Sequence, residues 1–239
     1  MKNNNTLSKH NYGGWEVFHP NGRLMFRCVD KRAKWYLDRG LAEETGDHTI
    51  KLLFEPNGLG DDEDNLVRKD NVCVCCGATE KLTRHHIVPR EFRKYFPLEI
   101  KSRNSYDILL LCVDHHEEYE IHARKLKTEL IGDTSVFNSK RMTLVIYKKL
   151  ITGHYDTGTE HIKERIHGVF PDAKFTVEDY HELESTLVNP VKNVVDSYLR
   201  ENKLQEFVEQ WRKHFVKHID CKFLPLRWKT DKKIIKCKV

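Results

Sequence analysis

The 239-residue sequence has no long hydrophobic run. None of its apolar stretches reaches the ~20 residues that a membrane-spanning helix requires. The Asn-rich start also lacks the apolar segment of a secretory signal, and no internal repeat is visible. These absences exclude a membrane-spanning or secreted protein and predict an intracellular protein without a membrane partner.

The cysteine usage and the charge balance narrow the class further. Seven cysteines in a chain without a secretory signal are better explained as metal ligands and free thiols than as a disulfide framework, which predicts a reducing compartment such as cytoplasm or nucleus. The net charge of +5 is mildly basic, so it permits a nucleic-acid partner without proving one. The length allows one ordinary domain or two small ones, and the sequence does not fix the oligomeric state.

Two pairs of metal-binding residues stand close together in the middle of the chain. The first pair is Cys73-x-x-Cys76, followed by Gly77, and the second is Cys112-x-x-His115, which follows an apolar run. Thiolate and imidazole ligands at this spacing suit a tetrahedral Zn²⁺ site with all four positions filled by protein. The sequence therefore predicts a structural zinc site and leaves no position on that ion open for catalysis.

A second polar set lies between and beside these pairs. It consists of His85, His86, Asp107 and His116, and the zinc site needs none of them. With its surroundings, this set resembles the HNH (His-Me finger) endonuclease family, whose pattern has a Cys pair, an Asp/His–His dipeptide before Ile-x-Pro, and a closing Asn-Leu-x-x-Leu-Cys-x-x-Cys-His. The matching stretches here are HHIVP over 85–89 and DILLLCVDHH over 107–116.

The resemblance implies a role for each member of the set. His85 and His116 would hold the catalytic cation, His86 would be the general base, and Asp107 would orient that base. The chain departs from the family pattern in having His85 for the common Asp, Asp107 for Asn and His115 for Cys, and the segment between His86 and Asp107 is longer. An Asp can still accept a hydrogen bond from an imidazole N–H.

The chemistry of phosphodiester cleavage fits these residue types. The reaction needs a base for water and a cation beside the scissile phosphate, and adjacent residues on a strand point to opposite sides, so His85 can serve the metal while His86 faces water. We expect Mg²⁺ or Mn²⁺ as the catalytic cation, with Ni²⁺ or Zn²⁺ as alternatives because the ligands are imidazoles. Glu120, four residues after His116 on a helix, is a candidate third ligand, although a solvated surface Glu is the alternative.

A second resemblance covers residues 13 to about 122. The stretches GRLMFRCVDKRAKWYLDRGLA, KLLFEPNG, CVCCG, RHHIVPREFRKYFP and SYDILLLCVDHH are similar to the region after the exonuclease domain in exonuclease 3′–5′ domain-containing proteins of the type 2 group. The resemblance implies a module in which an N-terminal unit leans on the HNH element. The DEDD exonuclease domain of those proteins has no counterpart in the sequence, so only the HNH-like module is carried over and not the exonuclease activity.

Basic residues surround the predicted site and alternate with aromatic residues. Such a pattern suits phosphate contacts and some base stacking, although the aromatic residues Phe92 and Phe96 are better explained as core. The candidate nucleic-acid-binding residues are Arg84, Arg90, Arg93, Lys94, Lys101 and Arg103.

The elements predict an α+β protein. A disordered tail over 1–12 precedes an N-terminal hairpin–helix–strand unit over 13–70, a zinc-stapled ββα-metal (HNH) core over 71–130, and a helical C-terminal region with a basic tail over 131–239. In the core, strands are expected over 82–88 and 107–112 and a helix over 115–130.

The function expected from the sequence is a metal-dependent HNH endonuclease, a hydrolase acting on ester bonds in DNA. RNA is an alternative substrate, because nothing in the sequence reads base edges or sugars. The alternative class is a non-catalytic, zinc-stabilised nucleic-acid-binding or adaptor module with a degenerate HNH site.

Overall fold

The structure is a computed structural model that describes residues 12, 14–58, 60, 66–101, 106–155 and 159–234. The predicted disordered tail, apart from Tyr12, and the candidate nucleic-acid-binding residue Arg103 lie outside the described residues, as does the side chain of Lys101. The chain divides into two compact units, Met1–Arg124 with Asn202–Val239, and Lys125–Glu201. Strands and helices are both present, so the protein is α+β.

The N-terminal part of the first unit is a four-stranded mixed sheet with one helix. Its elements are β1 (Trp15–Phe18), β2 (Leu24–Cys28), α1 (Asp30–Asp38), β3 (Ala42–Gly46) and β4 (Thr49–Leu52). The strand order is β2-β1-β4-β3, with β1 and β4 parallel and the other neighbours antiparallel. Val17 and Ile50 are fully buried beneath α1, because alternate residues of a strand face the same side. The sequence predicted the hairpin, α1 and β4 but not β3.

The middle of the first unit is a two-stranded antiparallel sheet followed by a long helix. Its elements are β5 (Leu82–His86), α2 (Arg90–Arg93), α3 (Leu98–Lys101), β6 (Ile108–Cys112) and α4 (Val113–Ile131). The register places His85 opposite Leu109 and Leu82 opposite Cys112. Since β6 runs directly into α4, residues of the strand end and of the first helical turns lie close together.

The second unit is helical and has its own core. It comprises the last turns of α4 with α5 (Ser135–Ile151), α6 (Glu160–His167), α7 (Val177–Thr186) and α8 (Pro190–Arg200). Tyr147 is fully buried there and its hydroxyl donates to Asp179. Asn189 caps α8 by accepting from two backbone N–H groups, with Pro190 in the first turn, where its missing N–H costs nothing.

The last helix, α9 (Leu204–His218), returns to the first unit. Phe207, Trp211 and Phe215 are fully buried, and the rings of Phe207 and Trp211 contact Phe92 of α2. The sequence predicted one helical C-terminal region over 131–239. In the structure α9 belongs to the first unit instead, because its apolar stripe packs on residues that precede it by more than 100 positions. Among the described helices, none has the length and apolar character needed to cross a membrane.

Candidate metal centres

The structure brings the four predicted zinc ligands together. The ligand atoms of Cys73, Cys76, Cys112 and His115 all lie within 4.8 Å of one another. The Cys76 and Cys112 sulfurs are 4.0 Å apart, and His115 Nδ1 lies 3.8 Å from Cys73 Sγ and 3.0 Å from Cys112 Sγ. A tetrahedral site with Zn–S bonds of 2.3 Å places its sulfurs about 3.8 Å apart. The donor set and its spacing therefore fit a zinc ion.

The loop that carries the first cysteine pair is held by backbone hydrogen bonds. Gly77 N–H donates to the Cys73 carbonyl at 2.9 Å, and Val74 N–H donates to Leu110 of β6, also at 2.9 Å. Gly77 has φ +75°, and a Cβ there would lie 3.0 Å from the ring of Phe223. The tight turn that presents the two thiols thus needs glycine for both its conformation and its neighbour.

The same turn affects the ionisation of its first thiol. Burial raises the pKa of Cys73, but backbone N–H groups of Cys76, Cys112 and Cys75 donate toward the sulfur and bring the pKa below its ordinary value. A zinc ligand must be a thiolate. These hydrogen bonds therefore favour the ionised form of Cys73 that a metal requires.

A second group of candidate ligands lies on β5 and α4. His85 on β5 and His116 and Glu120 on α4 have ligand atoms within 4.8 Å of one another. Glu120 Oε1 lies 3.9 Å from His85 Nδ1 and 3.6 Å from His116 Nε2. Mainly through the neighbouring His116, and against the effect of burial, the pKa of Glu120 is lowered, so its carboxylate is ionised. Two imidazoles and one carboxylate suit a divalent cation.

Aromatic packing fixes the ring of His85. The side chain is 4% exposed, stacks on Phe215 at 5.5 Å between ring centres and meets the edge of Tyr119 at 4.9 Å. Burial is the main reason why the pKa of His85 falls to about 3, so the ring is neutral at physiological pH. Its Nε2 has no hydrogen-bond partner among the described residues, whereas its Nδ1 faces the carboxylate.

A threonine sets the tautomer of His116. The Thr83 hydroxyl donates its one hydrogen to the Leu111 carbonyl at 3.0 Å. It also lies 2.7 Å from His116 Nδ1, where it can therefore only accept. In this arrangement Nδ1 carries a proton, and Nε2 is the nitrogen that faces Glu120 and would bind a metal ion. Hydrogen bonds of this kind commonly orient metal-binding histidines.

His86 and Asp107 lie apart from this group. His86 is on the opposite face of β5 from His85, as strand alternation predicts, and lines a cavity with Arg93, Phe96 and Asp107. Burial, followed by the charges of Arg93 and Arg84, lowers the pKa of His86 to about 4. Its neutral ring can accept a proton, although it is a weaker base than an ordinary histidine.

Asp107 does not orient His86 in the way the resemblance implied. Both of its oxygens accept from the Arg212 guanidinium, at 2.7 and 2.8 Å, and no hydrogen bond to His86 is present among the described contacts. Arg212 comes from α9 and is 1% exposed. The carboxylate is therefore committed to a structural ion pair.

The predicted phosphate-binding residues differ in exposure. Arg84, Arg90 and Lys94 are exposed along β5 and α2. Arg93 is half-buried, and its Nε donates to the Val88 carbonyl at 2.8 Å. The three exposed cations are thus better placed for a polyanion than Arg93.

Sequence reasoning missed four residues that contact His85, His116 or Asp107. Thr83 could have been found, because it lies two residues before His85 on the same face of a strand. Tyr119, Arg212 and Phe215 carry no local signal, since their partners lie on other elements of the fold.

The chain matches several curated proteins. It is 29% identical to mouse (Mus musculus) exonuclease 3′-5′ domain-containing protein 2 over 89% of its own length and 37% of the relative. It is 27% identical to the human (Homo sapiens) protein of that name, over 89% of the chain and 39% of the relative. It is 40% identical to Protein RRP6-like 3 of Arabidopsis thaliana over 52% of the chain and 15% of the relative. The chain therefore spans less than half the length of these relatives. No protein-family model matches the chain, and no solved structure matches it significantly.

These findings correct the identification made from the motifs. Two of the relatives are named as 3′-5′ exonuclease domain proteins, and none of the three is named as an HNH endonuclease. The identification of an HNH endonuclease, and the DNA endonuclease function drawn from it, are therefore wrong. The non-catalytic alternative gains no better support. The physical reason is that ligand spacing predicts which ions a segment can bind, whereas similar ion sites serve different reactions.

Proposed function

We propose that the chain takes part in metal-dependent hydrolysis of phosphodiester bonds in nucleic acid, as a 3′–5′ exonuclease of the kind named in its relatives. The observation that carries the proposal is the convergence of His85, His116 and Glu120. Two imidazoles and an ionised carboxylate form a ligand set for a divalent ion. The names of the relatives supply the reaction class.

Mg²⁺ or Mn²⁺ is the proposed cation of this second centre. When bound, such an ion neutralises charge on the phosphate and lowers the pKa of a bound water. The protein's own contribution is to hold the ligands. Phe215 and Tyr119 restrain the His85 ring, and the Thr83 hydroxyl holds His116 by its Nδ1, so that Nε2 faces Glu120.

A structural zinc at Cys73, Cys76, Cys112 and His115 is the second part of the proposal. Its support is the donor set and the distances between the ligand atoms. All four ligand positions belong to the protein, so this ion would join the cysteine turn, the end of β6 and the start of α4. It would thereby fix the strand and helix that carry the other centre.

Nucleic acid is the proposed partner, with DNA as the expected form and RNA as the alternative. Arg84, Arg90 and Lys94 lie on adjacent elements and are exposed, so they can contact phosphates. Contacts of this type weaken as salt rises. We therefore expect the affinity for a single strand to fall with added salt, and to fall less steeply in Arg90→Ala.

The test is an end-labelled degradation assay on the purified chain. A single-stranded DNA labelled at its 5′ end, and an RNA of the same sequence, are incubated with Mg²⁺, Mn²⁺ or EDTA. A ladder that shortens stepwise from the 3′ end, and that disappears in EDTA and in His116→Ala, is the expected result. His181→Ala, which removes an exposed histidine of the second unit, is the matched control.

A closed circular single strand of the same length is the matched substrate control. An exonuclease needs an end and leaves the circle intact. Cleavage of the circle, or no reaction on either linear substrate in any metal, would contradict the proposal. Zinc content measured on the same samples shows whether the variant has kept its cysteine site.

A further inference from the structure

A third group of histidines lies outside the two centres described above. His122 is on α4, and His214 and His218 are one turn apart on α9. The ring of His218 lies 4.3 Å from His122 and 4.3 Å from His214, measured between ring centres. All three side chains are half-buried. We propose that these three imidazoles form a further metal site, which takes a divalent transition-metal ion of the Zn²⁺ or Ni²⁺ type.

The spacing of the rings supports this proposal. Histidines four residues apart on a helix lie on one face, and such pairs bind metal when a third ligand faces them. With metal–nitrogen bonds of 2.0–2.1 Å, two imidazoles on one ion have ring centres roughly 5 Å apart. The observed 4.3 Å is close to that separation. The one ring pair that joins α4 and α9, His122 with His218, is therefore near the separation that a shared ion requires.

The orientation of the rings shows what binding must change. The His122 and His218 rings are nearly parallel, at 22°, and stack instead of directing their nitrogens at one point. Binding therefore requires rotation of these half-buried side chains, because their present orientation does not direct three nitrogens at one point. His218 is the last residue of α9, where fewer helical neighbours restrict its rotation.

Tyr119 contacts His214, one of the three proposed ligands. Its hydroxyl lies 3.1 Å from His214 Nδ1, so it can accept from an Nδ1–H and leave the Nε2 lone pair for a metal, which is how hydrogen bonds orient bound histidines elsewhere. Burial, followed by the neighbouring His218 and His122, lowers the pKa of His214 to about 4, and the ring is therefore neutral. The edge of the same Tyr119 ring meets His85, so one residue contacts both histidine groups.

Imidazole nitrogens are the only donors in this proposal, and this decides the class of ion. Nitrogen ligands favour Ni²⁺, Cu²⁺ and Zn²⁺ over Mg²⁺ and Ca²⁺, which prefer oxygen. The third group should therefore discriminate between the ions, binding Zn²⁺ while ignoring millimolar Mg²⁺.

The test is a Zn²⁺ titration of the full chain labelled with ¹⁵N-histidine. The cysteine site of the protein is loaded with zinc beforehand. The titration is run in the His116→Ala background, so that the second centre cannot bind the added ion. We expect one equivalent of Zn²⁺ to shift the ring nitrogens of His122, His214 and His218 together, in a saturable manner and also in excess Mg²⁺.

Two variants and one control complete the test. His218→Gln should weaken Zn²⁺ binding roughly tenfold or more, since loss of even an outer-shell partner costs 10–100-fold. Tyr119→Phe keeps the ring against His85 and should weaken binding by about tenfold through His214. His181→Gln should leave the affinity unchanged. Absence of a shift, a shift confined to one ring, or equal affinities in His218→Gln and His181→Gln would overturn the proposal and leave the rings as packing alone.

Discussion

Replacing Arg212 by Met should lower the free energy of unfolding by about 3–5 kcal/mol, the cost of breaking a buried ion pair from one side. The guanidinium is 1% exposed and binds both oxygens of Asp107, whose side chain is only 14% exposed. It also donates to the Lys232 carbonyl and lies 5.0 Å from the centre of the Tyr106 ring. Met fills a similar volume, so the loss reflects the unpaired carboxylate and carbonyl more than a cavity.

Urea denaturation of the zinc-loaded chain measures this loss. Lys213→Met is the matched control, because it removes an exposed ion pair with Glu209 from the same helix and should change the free energy of unfolding by no more than about 1 kcal/mol. Asp107→Asn in the Arg212→Met background should recover part of the loss, since it removes the unpaired charge. A loss in Arg212→Met no larger than in the control would refute the reasoning that the pair is buried and structural.

Three further predictions concern the metal centres. Cys112→Ser should abolish stoichiometric zinc, counted by elemental analysis, together with the cooperative unfolding transition of the first unit; retention of both would contradict a structural zinc. Gly77→Ala should lower the free energy of unfolding by about 1–3 kcal/mol. The loss should be larger than in Gly132→Ala, because Gly132 shares a positive φ but a Cβ there meets no neighbour within 4 Å. Equal losses in the two variants would exclude the contact with Phe223 as a cause. Thr83→Val should weaken Mn²⁺ binding at the second centre by about 10–100-fold, while Thr83→Ser restores it; a Val variant that binds like the Ser variant would refute the role given to the hydroxyl.

Local patterns predicted most of the elements. Turn residues and alternating apolar residues indicated the β1–β2 hairpin, and the apolar stripe of α9 indicated a buried helix. The strand β3 was missed because Ala42–Gly46 has one buried residue and four exposed ones, so no alternation marks it. Its place in the sheet follows from antiparallel pairing with β4, which no local pattern reveals.

For the candidate metal centres too, local motifs indicated some residues, whereas partners distant in sequence were missed. The proposed zinc ligands lie in two short motifs, so their spacing indicated them, whereas His116 was indicated by the family resemblance and Glu120 by its position one helical turn later. The partner of Asp107 could not be predicted, because Arg212 lies 105 residues away in sequence. The reaction class could not be predicted either, since the motif that suggested an HNH endonuclease describes ligands and not the substrate. The reducing compartment stays a prediction.

The pairing of Asp107 with Arg212 also orders events during synthesis. The first unit is interrupted by residues 125–201, which form a unit with a core of their own. A ribosome must therefore release Arg212, and the Lys232 carbonyl that it binds, before the β5–β6 module can gain its last buried helix. Contacts this distant in sequence form late and slow folding. Until then His85 would lack the ring of Phe215, so the emerging chain would expose its ion ligands before their surroundings exist.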